Sequence, residues 1–387
     1  MVNPFTPGNG IEPRYLAGRE RHIGEFIKSL QASEDGLPRN MVLYGLRGTG
    51  KTVLLRHYGI IAETKNWVFV DREFNERYCD EAEFAQMFGK DLVTLASEVS
   101  IKKRITETGK KILDFLKPEE LSAYGIRYRP YYEDREGILE DYIREMLQSN
   151  WSIFEKADKK GVVFFYDEFH SIKDRKEEKQ YVLSSLLGAL SRVQREGYRY
   201  YLCLSGLPAI KTNLKEAKTY SERMFIFQDV GNLNREESRK ALLEPLSKTH
   251  YSFENELVDR IIDETKGYPY FIQFYGYFLV DAVGRKSIKL GDLETNKNKL
   301  LEMLDKSFFE DRFNLASETE KKVLVSMAKC GGDKVSAAQL KKKVRMSYKS
   351  LQQYLFRLID KGLIYRAQRG FYSFSIPLFR DYLLRQS

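Results

Sequence analysis

Residues 41–52 read MVLYGLRGTGKT, in which an apolar run is followed by closely spaced glycines and then by Lys51 and Thr52. Apolar residues recur with helical spacing from Val53 to Ile61. The order is therefore strand, glycine loop, helix. The stretch from Gly45 to Thr52 fits the pattern G-x-x-x-x-G-K-T at every fixed position.

This pattern predicts a phosphate-binding loop for ATP. Its glycines let backbone N–H groups close round the phosphates, and the following helix presents its positive end to them. The lysine reaches the β- and γ-phosphates, and the threonine hydroxyl is a ligand for Mg²⁺. A glycine-rich turn with an incidental lysine is the alternative. The residues predicted to bind ATP in this loop are Gly45, Gly48, Thr49, Gly50, Lys51 and Thr52.

A second candidate element is an apolar run, Val162–Tyr166, that ends in the carboxylates of Asp167 and Glu168. Phosphoryl transfer needs charge neutralisation and a positioned nucleophile. We therefore expect Asp167 to hold the magnesium ion through water and Glu168 to orient and deprotonate the attacking water.

Two further catalytic candidates each have an alternative interpretation. Ser205 ends the apolar run Tyr200–Leu204, where its hydroxyl would contact the γ-phosphate or a water, or would only initiate the turn before Gly206 and Pro208. Arg223 would reach a γ-phosphate in its own chain or in a neighbouring subunit, or would form a surface ion pair.

The remaining pattern predicts an α/β fold of several domains. Strands at 41–44, 67–70, 162–166 and 200–204 alternate with helices, which indicates a parallel sheet covered on both faces. We expect the ATPase domain at 1–232, with a helical insertion at about 74–160 that contacts a protein partner. A small helical lid domain follows at 233–309.

The C-terminal domain, 317–387, is predicted to be a winged helix-turn-helix: three short helices and a β-hairpin. It contains 15 Lys or Arg and 5 Asp or Glu, a net charge of +10. This exceeds the net charge of +9 of the whole chain. This concentration favours double-stranded DNA as partner, and protein contact or autoinhibition is the alternative. The predicted DNA contacts are Lys349, Gln352, Arg366 and Arg369.

Other classes of protein are disfavoured by composition. Cys79, Cys203 and Cys330 form no CxxC pair, so neither a disulfide framework nor a zinc site is expected. No apolar run approaches the ~18 residues of a membrane span, and the stretch from Met1 to Gly10 lacks the apolar run expected of a signal peptide. We expect a cytoplasmic protein without a membrane partner.

These motifs, in this order, resemble the AAA+/STAND-type archaeal ATPases, close in layout to the Orc1/Cdc6-like initiator ATPases. The segment Glu12–Glu20 resembles the family motif that lines the adenine site, which implies nucleotide contacts for Arg14 and Tyr15. The Gly267-Tyr268-Pro269 motif implies the same for Tyr268 and Pro269. Two departures imply slow hydrolysis: Ser205 replaces the usual asparagine, and no arginine stands at the start of the lid helix after Gly267.

The sequence therefore predicts an ATPase switch, in which ATP and Mg²⁺ alter how the lid and the basic winged helix are presented to DNA. A signalling or defence ATPase of the STAND type, whose winged helix and insertion bind proteins, is the first alternative. A helper ATPase of a mobile element is the second. Contact between Arg223 and the γ-phosphate of ATP in a neighbouring subunit would imply homo-oligomers.

Overall fold

A computed structural model of the chain describes residues 3–8, 10–102 and 139–386. By their mutual contacts these residues fall into two compact units. The first, called here the α/β unit, comprises Arg19–Gly45 and Lys51–Val230. The second, called the helical unit, comprises Met1–Gly18, Leu46–Gly50 and Gly231–Ser387. The predicted lid and the predicted winged helix thus share one unit.

The α/β unit is built on a parallel sheet. Its strands are β1 (Asn40–Tyr44), β2 (Val68–Glu73), β3 (Val162–Asp167), β4 (Tyr200–Gly206) and β5 (Phe225–Asp229). Among the described residues these five strands are ordered β2-β3-β4-β1-β5, and every neighbouring pair is parallel. Strands β3 and β4 are buried along their whole length, as expected for a sheet covered on both faces.

The predicted α/β fold with a parallel sheet is confirmed, and the sequence missed one strand. Strand β5 lies at the sheet edge beside β1. It is only partly buried and carries the polar residues Gln228 and Asp229, so it lacks the continuous apolar run that marks the inner strands.

The helices of the α/β unit cover this sheet. They are α1 (Glu20–Glu34), α2 (Lys51–Thr64), α3 (Glu81–Lys102), α4 (Leu139–Lys156), α5 (Val182–Arg195), α6 (Ile210–Ala217) and α7 (Ser221–Met224). Short 3₁₀ turns occur at Glu76–Cys79, Phe169–Ser171 and Lys176–Glu178.

Helices α3 and α4 are the described ends of the predicted insertion, and both pack into the core of the α/β unit. The ring centroids of Phe88 and Phe164 are 5.5 Å apart, and those of Trp151 and Tyr200 are 5.4 Å apart. Of the helix predicted from Ile101 to Leu116, all but the first two residues lie outside the described part of the chain. The tyrosine-rich segment at 123–132 lies outside it as well.

Beyond its segments Met1–Gly18 and Leu46–Gly50, the helical unit contains the predicted lid and then the predicted winged helix. Its helices are α8 (Arg235–Leu243), α9 (Asn255–Thr265), α10 (Pro269–Val283), α11 (Leu290–Leu304), α12 (Glu310–Asn314), α13 (Glu318–Cys330), α14 (Ala337–Lys343), α15 (Tyr348–Asp360) and α16 (Phe379–Arg385). Its strands are β6 (Ser252–Phe253), β7 (Ser287–Ile288), β8 (Val335–Ser336), β9 (Ile364–Gln368) and β10 (Phe371–Phe374). A 3₁₀ turn lies at Glu244–Leu246, and a π-helical turn at Asp305–Phe309 joins α11 to α12.

The C-terminal elements have the order of a winged helix: α13, α14 and α15 are followed by the antiparallel pair β9 and β10, with β8 completing the sheet. Local sequence sets the helix starts, because the side chains of Ser317, Ser336 and Ser347 accept hydrogen bonds from backbone N–H groups one turn on. The segment Glu310–Ser317, which the sequence indicated as a linker between the lid and the winged helix, is helical in part, as α12. No helix within the described residues has the length and apolarity needed to cross a membrane.

Candidate functional site

Lys51 is the first residue of α2 and is almost completely buried. Its Nζ donates a hydrogen bond to the carbonyl oxygen of Gly45, 3.1 Å away, so the lysine folds back over the start of its own loop. The N–H of Gly45 in turn donates to the carbonyl oxygen of Gly206 at the end of β4. The loop therefore starts at the carboxyl edge of the sheet, where polar groups of several strands meet.

Thr52 and Asp167 are brought together although 115 residues separate them. The Thr52 Oγ1 donates to the Asp167 Oδ2 over 2.5 Å, and Asp167, the last residue of β3, is 6% exposed. Mg²⁺ prefers oxygen ligands such as those of hydroxyl and carboxylate groups. The oxygens of Thr52 and Asp167 therefore fit the predicted magnesium ion.

Glu168 follows Asp167 with a φ of +51°, in the left-handed region. For a residue with a Cβ this conformation is strained by about 1–2 kcal/mol, and such strain clusters at functional sites. The backbone N–H of Glu168 donates to Asp167 Oδ1 at 2.8 Å, which holds the turn. The Glu168 Oε2 is 3.6 Å from His170 Nε2, a contact that sequence patterns did not reveal.

Ser205 is fully buried at the end of β4, in register with Leu43 of β1. Within the part of the chain that the structure describes, its Oγ has no hydrogen-bond partner. A buried hydroxyl without a partner is unfavourable by about 1–3 kcal/mol, and such groups in native proteins usually have a ligand or a water as partner. This observation favours the ligand interpretation of Ser205 over a simple turn serine.

In the helical unit, Tyr268 closes over residues 46–50 of the glycine loop. Tyr268 directly precedes α10 and is completely buried, and its hydroxyl donates to the carbonyl oxygen of Arg47. Burial raises the pKa of Tyr268 well above its usual range, so the phenol remains a neutral donor. The sequence motif implied a nucleotide contact for Tyr268 but gave no sign of this contact with the loop.

Gly48 should be intolerant of alanine because of this contact. Its φ is +75°, and a Cβ there would lie 2.3 Å from the Tyr268 hydroxyl oxygen. Gly50 is the matched control: its φ is +91°, but no heavy atom lies within 4 Å of its Cβ position. We expect Gly48→Ala to lower the unfolding free energy by about 1 kcal/mol more than Gly50→Ala, since it also displaces Tyr268 and its hydrogen bond. Thermal denaturation of both variants measures this, and equal losses would contradict it.

The other predicted nucleotide-contact residues are spread over both units. In the helical unit, Arg14 is exposed, Tyr15 is half-buried against the lid core, and Pro269 is the first residue of α10. In the α/β unit, Arg223 is exposed on α7, and no carboxylate of the described residues lies within ion-pair distance of it. Among the described residues, the surface ion pair considered for Arg223 is thus not formed.

The predicted DNA contacts lie on α15 and on the β9–β10 hairpin. Lys349 is exposed in the first turn of α15, and Arg366 and Arg369 are exposed on the hairpin. Gln352 is half-buried, and its Oε1 accepts a hydrogen bond from the Tyr372 hydroxyl, 3.3 Å away. Gln352 therefore positions the hairpin against α15 in addition to any role in binding.

Comparisons with known proteins agree with this architecture. Residues 15–203 match the family model of the AAA ATPase domain, and residues 306–383 match a domain of unknown function, DUF8462. The Walker-type ATPase paby2304 of Pyrococcus abyssi has a TM-score of 0.57 at 15% identity, over 95% of this chain and 96% of that one. The ORC2 protein of Aeropyrum pernix, in ADPNP–ADP complexes, has a TM-score of 0.56 at 15% identity, over 98% and 96%. No curated protein sequence matches.

The parallel sheet, the glycine loop and the Thr52–Asp167 pair define a P-loop ATPase. Residues 15–203 match the AAA ATPase domain, and the chain has the fold of the Walker-type ATPase of Pyrococcus abyssi and of the ORC2 protein of Aeropyrum pernix.

Proposed function

We propose that this ATPase is a nucleotide-dependent switch that binds double-stranded DNA through its winged helix. The observation that carries the proposal is a basic, acid-free run of sequence in the C-terminal domain. From Lys334 to Ile359, which covers α14 and most of α15, the chain has seven Lys or Arg and no Asp or Glu. A folded surface of this charge favours a polyanion, and the start of the third helix of a winged helix is the part that enters a major groove.

The nucleotide-binding part of the proposal rests on Lys51 and on the pair Thr52 and Asp167. Lys51 Nζ needs only to exchange the Gly45 carbonyl for phosphate oxygens, and Thr52 and Asp167 would hold Mg²⁺. When bound, Mg²⁺ neutralises phosphate charge. In this proposal Glu168 accepts a proton from the attacking water. The Ser205 hydroxyl, which has no partner among the described residues, contacts the γ-phosphate or a water.

Five residues are proposed to complete nucleotide binding and turnover. Arg14 and Tyr15 would border the base, and Tyr268 and Pro269 would respond to the nucleotide from the start of α10. Arg223, exposed and without an ion pair in the described residues, is proposed to act on the ATP of a neighbouring subunit. A protein partner is proposed for the 74–160 insertion, whose described ends are the core helices α3 and α4.

The DNA proposal makes a quantitative prediction. Joint replacement of Lys349, Arg366 and Arg369 by alanine should weaken duplex binding uniformly across sequences, because these side chains would contact phosphates. The slope of log Kd against log salt concentration should shrink by about 0.9 per lost contact, or about 2.7 in all. Fluorescence anisotropy with labelled duplexes over a range of salt concentrations measures both effects.

The control removes the same charge elsewhere in the helical unit. Lys248, Lys286 and Lys299 are exposed lysines of the lid, and their joint replacement by alanine should leave the slope unchanged. Absence of duplex binding by the unaltered protein at about 50 mM salt would exclude the DNA proposal, since phosphate contacts are strongest there.

A further inference from the structure

Phe356 lies in the third turn of α15 and is 71% exposed. Among the described residues no other large apolar side chain is exposed to this extent. Single apolar residues on a protein surface are common and need no explanation by themselves. The position of Phe356 does need one, because its helix also carries Lys349, a proposed DNA contact.

Helix α15 has two distinct faces. Three leucines spaced i, i+4 and i+7 are buried in the core of the helical unit: Leu351, Leu355 and Leu358. Lys349, Gln353 and Phe356 repeat the same spacing on the opposite side of the helix, and all three are exposed. The phenyl ring therefore shares a face with Lys349, about 10 Å further along the helix axis.

Positive charge borders this exposed face. Lys342 and Arg345 are exposed just before α15, and Arg357 is exposed next to Phe356. The one acidic residue of α15 is Asp360, its last residue, one turn beyond Phe356. A polyanion is thus attracted to the helix as far as the phenyl ring. Charge complementarity therefore favours a nucleic acid, and not an apolar protein surface, as the partner that covers Phe356.

The exposed side chains of this face match the groups of an A·T base pair. In the major groove thymine presents a C5-methyl group, which phenylalanine can contact, and adenine presents N6 and N7, which glutamine can bind with two hydrogen bonds. Gln352 is half-buried and bonded to Tyr372. Gln353 is exposed one turn before Phe356. An amide and a phenyl ring are thus presented side by side.

We infer that α15 recognises A·T base pairs in the major groove, with the Phe356 ring on the C5-methyl group of thymine and the Gln353 amide on adenine. The inference rests on the proposed function, since it requires α15 to bind duplex DNA. It deepens that function because it names the kind of sequence that is bound. The phosphate contacts proposed for Lys349, Arg366 and Arg369 carry no such information.

The test removes the methyl group from the DNA. Fluorescence anisotropy compares a duplex of about 20 A·T base pairs, roughly two helical turns, with the same duplex containing dU in place of dT. The unaltered protein should bind the dT duplex about three- to fivefold more tightly for each methyl group contacted. Phe356→Ala should bind both duplexes equally. Gln353→Ala should keep the preference for dT while binding both more weakly, because the two duplexes present the same adenine edge.

The salt dependence separates this apolar contact from a phosphate contact. Burying a methyl group releases no counterion, so Phe356→Ala should weaken binding of the dT duplex by the same factor at every salt concentration. Its slope of log Kd against log salt concentration should equal that of the unaltered protein. Leu315→Ala is the matched control: Leu315 lies between α12 and α13 and is 59% exposed, and its replacement should change neither the affinity nor the preference for dT.

The possible outcomes distinguish the inference from the proposed function. Salt-dependent binding of both duplexes with equal affinity by the unaltered protein would overturn only the inference. A preference for dT that Phe356→Ala retains would place the methyl contact elsewhere and overturn it as well. If Phe356→Ala lost self-association seen by size-exclusion chromatography but kept the unaltered ratio of affinities, Phe356 would be a protein contact and the inference would be wrong. Binding of neither duplex at about 50 mM salt would overturn both.

Discussion

Lys51→Ala is expected to abolish ATP binding at concentrations that saturate the unaltered protein. In the structure the Lys51 ammonium is buried and donates to the Gly45 carbonyl, so it is already held over the loop. Losing a charge-assisted contact with the β- and γ-phosphates should weaken ATP binding by about 100-fold or more. Equilibrium titration with a fluorescent ATP analogue measures the loss.

The fold should survive this substitution, because the lost Lys51–Gly45 hydrogen bond contributes only about 1 kcal/mol to stability. Lys65→Ala is the matched control, since Lys65 is an exposed lysine just beyond the end of α2. ATP binding by Lys51→Ala within about threefold of that by Lys65→Ala would mean that the glycine loop is not the nucleotide site.

Glu168→Gln is expected to retain ATP and to stop hydrolysis. Glutamine has nearly the same shape as glutamate but cannot accept the proton of the attacking water, and loss of a general base typically slows a reaction by 10²–10⁴-fold. Binding should stay within about twofold, because Thr52, Asp167 and Lys51 remain. Phosphate release under single-turnover conditions, together with the nucleotide retained after gel filtration, separates the two effects.

His170 gives this second experiment a further readout. Its Nε2 lies 3.6 Å from the Glu168 Oε2, so an imidazole that orients the base predicts slower turnover in His170→Gln with unchanged ATP binding. Glu177→Gln is the control, because Glu177 is an exposed glutamate in the 3₁₀ turn at Lys176–Glu178. Turnover by Glu168→Gln at the rate of the Glu177→Gln control would remove Glu168 as the base.

The spacing of apolar residues in the sequence was sufficient to predict the inner strands of the sheet and most of the helices. Fully buried parallel strands need continuous apolar runs, and β3 and β4 have them, whereas the partly exposed strand β5 does not and was missed. Helix α12 was taken for part of a linker because its five residues are too few to show helical periodicity. Motif positions such as Lys51 and Asp167 could be located in advance because the chemistry fixes both residue type and spacing.

The sequence by itself therefore determined the class of protein: a glycine loop between a strand and a helix, followed by a strand that ends in carboxylates. Backbone geometry and phosphate chemistry allow few residue types at these positions, so the amino-acid sequence alone is enough to identify the motifs. Only the tertiary structure decided that Gly48 lies against Tyr268 and that Glu168 lies beside His170. The first is a contact between residues distant in sequence, and the second depends on how the turn after β3 folds, so neither leaves a local pattern along the chain.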